Sequence, residues 1–176
     1  MIELLRGRRS IRSYTGKPVD RESIELLIEA ALRAPSSRDN QPWSFVVVDD
    51  RQQLEKLSLA KEHGSAFLRK APLGIVVCGD PGKSDVWVED CAIAAVLIQV
   101  VAQSLGLGSC WIQIRERSHD AGTTAQDYLR EVLGIPEQIM IACIISIGHP
   151  AEKKTPVATA DLDYGKVSHN NWTAAP

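Results

Sequence analysis

The stretch from Val86 to Leu105, VWVEDCAIAAVLIQVVAQSL, constrains this chain more than any other part of it. At helical spacing its apolar residues fall on nearly every side, so the predicted helix must be covered over most of its surface. Ala92, Ala94 and Ala95 would let another helix approach closely. The most apolar part, Cys91–Val101, is interrupted by Gln99 and preceded by Glu89 and Asp90. It falls short of the ~20 apolar residues that a bilayer span needs, so a buried core helix is expected. A chain of 176 residues is the size of one domain, 1–176. Covering such a helix without help is a heavy demand at that size, and a second copy of the chain is the expected cover.

The rest of the chain mixes helical and strand patterns without a strict βαβ repeat. Ile24, Leu27, Ile28, Ala31 and Leu32 recur at helical spacing, with Asp20 placed as an N-cap and Pro35 beyond the end. Strands are expected at Ser44–Val48, Leu73–Cys78, Ser109–Ile114 and Met140–Ile147. Gln52–Leu59 and Ser65–Lys70 read as short helices, and Thr123–Leu133 as an amphipathic helix ended by Gly134 and Pro136. The fold class is α+β, a mainly antiparallel central sheet flanked by helices. The tail, about residues 151–176, is mostly polar yet holds Tyr164, His169 and Trp172. A tail with such anchors is expected to dock on the domain or on the partner subunit.

A net charge of −2 gives no reason to expect nucleic acid or an anionic membrane as partner, and 44% hydrophobic residues argue against disorder. The first residues, MIELLRGRRS, lack the apolar core of a secretion signal. Cysteines 78, 91, 110 and 143 form no CxxC pair, and histidines 63, 119, 149 and 169 are not spaced as zinc ligands beside them. No metal is expected, Cys78 and Cys143 read as small core residues, and the default compartment is cytoplasmic.

Three segments could carry chemistry. In RGRRSIRSY, an extended backbone would point Arg8, Ser10 and Arg12 the same way. Guanidinium groups around a hydroxyl suit a phosphate, although a solvated basic turn has the same spelling. In APSSRDNQPW, residues 34–43, two prolines stiffen a loop rich in donors and acceptors. It is either a ligand loop on a rigid base or an ordinary helix-to-strand connection. In GLGSCWIQI, residues 106–114, glycines would let backbone come close to a ligand, or simply stop a helix before a core strand. No GxGxxG follows a strand, so a Rossmann dinucleotide site is not indicated.

Taken in order, RRSIRSY, APSS..NQPW, the apolar helix running into LGLGSCWI, then LGIP and IGHP resemble the nitroreductase family from about residue 5 to residue 172. The resemblance implies an α+β homodimer with two FMN sites, each built from both subunits. It implies that Arg8, Arg9 and Ser10 hold the FMN phosphate and ribityl chain, with Arg12 near the N1 and O2 edge of the flavin. Pro35, Ser36 and Ser37 would reach the same flavin from the partner, and backbone around Trp111, Ile112, Gln113 and Ile114 would line the ring near N5. Lys166 and His169 sit where the family often has a basic phosphate contact. Two departures stand out. Asp39 takes the place of the family's usual asparagine, with Asn40 next to it as a possible substitute. Gln113–Ile114 replaces the glutamate-glycine of some relatives. Segment 79–88 is also short, leaving little room for a lid helix.

The implied activity is NADH- or NADPH-dependent reduction of a small-molecule electron acceptor (a nitroaromatic, a quinone or a flavin) by ping-pong kinetics, with the flavin and no protein nucleophile carrying the chemistry. The alternatives are a flavin-binding protein for storage or sensing, and a flavin enzyme of the same fold that dehalogenates or destroys flavin. A cysteine hydrolase using Cys110 with His119 or His149 is the rival from another class.

Overall fold

The computed structural model describes residues 1–172; the last four residues of the tail, 173–176, lie outside the described residues. Four strands form one antiparallel sheet in the order β1-β2-β4-β3: β1 Trp43–Val48, β2 Leu73–Gly79, β3 Gly108–Gln113 and β4 Met140–Gly148. The central strands β2 and β4 are buried residue after residue, and both sheet faces carry core. One face of β2 gives Leu73, Ile75 and Val77 to a cluster with α2 (Arg21–Leu32) and α4 (Trp87–Ser104). The other gives Val76 and Cys78 to a cluster with α3 (Arg51–Ser58) and α5 (Ala125–Leu133). Alternation of side chains along a strand produces the two layers directly.

The helix ends follow local chemistry. Asp20 caps α2 by accepting from Ser23 N at 2.8 Å, and Asp50 caps α3 through Gln53 N at 2.8 Å. Thr124 caps α5, and Gly134 closes it in the left-handed region at φ 66°. Gly106, at φ 71°, follows the end of α4. One element departs from expectation: Ile2–Gly7 is a short helix, α1. The short helix expected at Ser65–Lys70 forms as a 3-10 helix at Ala66–Lys70. The β2–β4 register slips between Val77, opposite Cys143, and Cys78, opposite Ile141, which bulges Ala142 out of the ladder.

The apolar helix α4 is the core helix foreseen, but its cover is incomplete. Cys91, Ala94, Ala95, Ile98 and Ala102 are fully buried, whereas Ile93 and Val96 are 40% and 50% exposed. The tail behaves similarly. It turns into 3-10 helix at Thr159–Asp161 and Tyr164–Lys166, and its own chain leaves Tyr164 66% and Trp172 87% exposed.

Candidate functional site

Residues 8–15 leave α1 as an irregular arm laid along the outer edge of β3. Ser10 bridges Ser109 in parallel fashion and Ile11 N donates to Ser109 O at 3.0 Å. Ile11 packs so close that a Cβ on Gly108 would lie 2.8 Å from the Ile11 Cβ; only glycine admits the arm here. Tyr14 anchors the arm from below. Its hydroxyl lies 2.7 Å from Ile11 O and 2.7 Å from the Ser146 hydroxyl, and Ser146 Oγ lies 3.3 Å from Cys110 O, so two hydroxyl protons are shared among three contacts. Burial pushes the Tyr14 hydroxyl well above its usual range.

A second segment straps the arm from above. Thr15 N donates to His149 O and Ala151 N to Ser13 O; the Arg9 guanidinium bonds Thr155 O. Glu152 Oε1 accepts from Arg12 N at 2.6 Å and Ser13 N at 3.1 Å, and Lys154 Nζ donates to Ser10 O at 2.9 Å. Arm and strap enclose a cleft of about 280 Å³ beside Gln103, Gly108, Glu152 and Lys154.

The expected phosphate ligands therefore divide. Arg9 turns into this cleft and is engaged with the strap, while Arg8 faces a second cleft, of about 290 Å³, with Leu5, Val157 and Tyr164. Arg12 is exposed, its guanidinium 5.9 Å from the centre of the Phe67 ring. Arg8, Arg12 and Lys154, but not Arg9, lie near enough to act on the Cys110 thiol. Burial raises that thiol, and Arg12, a hydrogen bond with Ser10, Lys154 and Arg8 oppose the rise. Lys154, missing from the sequence-based list, is thus a member of the basic group. Its only sequence signal is the KK pair just after GHP, and the topology is needed to show that the end of β4 lies beside the start of β3. Lys166 pairs with Asp163 at 3.4 Å and His169 is exposed; the structure does not bring either to the arm of their own chain.

The edge of β3 supplies backbone. Because Ser109 O points to the arm, alternation also turns the backbone groups of Trp111 and Gln113 away from β4. The side chains are committed elsewhere. Ile112 and Ile114 are buried in the core, Trp111 Nε1 donates to Gln113 Oε1 at 2.9 Å, and Gln113 Nε2 donates to Arg115 O at 3.0 Å. The cysteine hydrolase finds no support: Cys110 is 1% exposed and raised, and His119 stacks on Tyr128 with ring centres 4.1 Å apart.

The serine loop lies far off. Ser37 N donates to Asp90 Oδ1 at 2.9 Å, and Asp90, 2% exposed, also accepts from Ser84 Oγ at 2.8 Å. A carboxylate in the first turn of α4 suits the helix dipole and pins the loop to the core. Arg38, Asp39 and Gln41 all have positive φ, at 50°, 56° and 45°, a strained run that functional loops often hold. Asp39 accepts from Gln41 Nε2 at 2.8 Å, Ser36 Oγ from Gln41 N at 3.0 Å, and Asn40 N bonds Ser37 O at 3.0 Å. Pro35 is exposed at the helix exit. This loop adjoins Trp43 and Gly79, opposite Met140, whereas the arm adjoins Ser109, opposite Ile147. Seven residues along β4 is roughly 23 Å, and three strand spacings add roughly 14 Å across. Arm and loop occupy opposite corners of the sheet.

The profile of the nitroreductase family matches residues 5–63 and 50–149. This chain belongs to the nitroreductase family. Among family members of known structure, an FMN-dependent nitroreductase from Clostridium difficile R20291 is 47% identical, with a TM-score of 0.96 over 98% of this chain and 100% of that one. A candidate NADH dehydrogenase/NAD(P)H nitroreductase of Archaeoglobus fulgidus is 40% identical over 87% of each chain. NADPH:FMN oxidoreductase from Vibrio harveyi, solved with NAD+, is more distant at 25% identity and a TM-score of 0.82, covering 98% of this chain and 78% of that one. The nitroreductase fold is thus shared over nearly the whole chain.

Proposed function

We propose that this nitroreductase-family chain is an FMN-dependent oxidoreductase that takes reducing equivalents from NADH or NADPH and passes them to a small aromatic or quinonoid acceptor. The observation that carries the reading is the basic group of Arg8, Arg12 and Lys154 around Ser10, next to the open backbone edge of β3. A phosphate needs fixed cations and hydroxyl or amide donors, and a flavin ring needs an edge of backbone donors and acceptors; this corner offers both. Arg8 and Lys154 with Ser10 would hold the phosphate and ribityl chain. Arg12 would face the N1 and O2 edge, where its charge favours the reduced cofactor. Trp111 and Gln113 would contribute backbone near N5, and Lys166 and His169 would contribute only from another chain. When bound, the flavin supplies the hydride chemistry. The protein's part is to bind, to orient and to tune charge. If the bound ring were open on one face only, donor and acceptor would have to bind in turn, which is the basis for expecting ping-pong kinetics.

The reading includes a homodimer. Pro35, Ser36, Ser37, Asp39 and Asn40 stand at the corner opposite the arm, beyond the reach of one flavin mononucleotide bound there. A second copy lying antiparallel would bring its loop to the first copy's arm and cover Ile93, Val96 and the tail. The deciding experiment is the absorption spectrum of the purified protein, titrated anaerobically with NADH and separately with NADPH. Bound oxidised flavin bleached by a nicotinamide supports the proposal. Protein that neither retains nor takes up FMN sinks it.

A further inference from the structure

The strap places one carboxylate, Glu152, inside the basic group expected to receive an anion. A negative charge there lowers the local attraction for phosphate, so its presence calls for a compensating role. The hydrogen bonds supply one. Between the bridges at Ser10 and Tyr14 the arm belongs to no helix or strand, and the consecutive N–H groups of Arg12 and Ser13 both end on Glu152 Oε1, at 2.6 and 3.1 Å. The side chain is held in turn: it is 29% exposed and lies 3.6 Å from Lys154 Nζ, which itself bonds Ser10 O. One carboxylate thus fixes the backbone at the residue whose guanidinium is meant to face the flavin, and braces the lysine of the same group.

We propose that Glu152 is a positioning residue for the cofactor: it sets the backbone of Arg12 and Ser13, so that Arg12 and Lys154 meet the bound FMN in register. The inference rests on the FMN reading above. It requires an acceptor oxygen at that spot, not a negative charge, and it requires the full length of the side chain. Glu152→Gln keeps the oxygen and the length, whereas Glu152→Asp keeps the charge and withdraws the oxygen by one methylene.

The test measures FMN and riboflavin affinity of the full-length apoprotein by flavin fluorescence quenching, for wild type and both variants. The two-electron potential of each holoprotein is measured alongside. Expected are FMN affinity within about threefold of wild type for Glu152→Gln and a loss of about tenfold for Glu152→Asp, the scale of one or two hydrogen bonds. The potential of Glu152→Asp should fall because Arg12 is no longer held in place, and a merely structural role would leave it unchanged. The opposite order, with Glu152→Asp like wild type and Glu152→Gln tighter for FMN, would show that Glu152 acts as a simple charge and overturn the inference. An unchanged potential in Glu152→Asp with flavin bound overturns it too. Wild-type protein that takes up no FMN at all brings down the cofactor reading itself, and this inference with it.

Discussion

Arg8 and Arg12 are expected to fail in different ways when changed. Arg8→Ala should weaken FMN binding by about 1.5–3 kcal/mol, the usual worth of a charge-assisted hydrogen bond, and leave riboflavin affinity nearly unchanged because riboflavin has no phosphate. Equal losses for the two ligands would remove Arg8 from the phosphate. Arg12→Gln should lower the two-electron potential by about 30–60 mV, or roughly 1.4–2.8 kcal/mol for two electrons, while FMN affinity falls less than in Arg8→Ala. Spectroelectrochemical titration with the flavin fully bound reads this directly, and an unmoved potential would make Arg12 a surface residue. The side chains that sequence could propose are those whose type speaks for itself: arginines around a serine, serines between prolines. Lys154, Asp90 and Glu152 are not legible there, because a lysine and a glutamate in a polar tail and an aspartate in the first turn of a helix look like solvated surface until the fold places them.

At the scale of elements, the apolar helix and the four strands could be read from periodicity, because burial leaves long apolar runs and turn residues punctuate them. The short α1, the bulge at Ala142 and the strap could not. The first has too few residues for a period to show, and the other two are set by partners distant in sequence. The arm's anchorage makes its own prediction. Tyr14→Phe strips the hydroxyl from a buried network and leaves Ser146 short of a partner, a loss of about 1–3 kcal/mol in chemical denaturation. Since the folded state raises the hydroxyl's pKa, its contribution is fully present below the unfolded tyrosine value, near 10, and disappears as pH climbs through the raised value. Wild type should therefore approach the stability of Tyr14→Phe in strong alkali. A constant gap between them across that range would contradict the assignment. In the core proper, Leu129→Ala should cost about 2–5 kcal/mol, since its side chain is fully buried between α5 and the sheet.

For the molecule as a whole, the half-covered α4 and the exposed Tyr164 and Trp172 of the tail are complementary demands that a second chain would meet together. Val96→Glu puts a charge on the exposed stripe of α4. It should yield a monomer by light scattering, with flavin lost in step, whereas a flavin-loaded monomer would refute the shared site. The placement of arm and serine loop at opposite corners has a genetic corollary. Two chains, each disabled in a different corner, should rescue one another. Coexpress a chain carrying Arg8→Glu with one carrying Ser37→Trp, each inactive alone. Random pairing makes half the dimers mixed, and in each mixed dimer one pocket collects both lesions while the other collects neither, so about a quarter of all pockets should be whole. Activity near that fraction is the mark of pockets completed in trans; a mixture as inactive as its parents would mean that each chain completes its own.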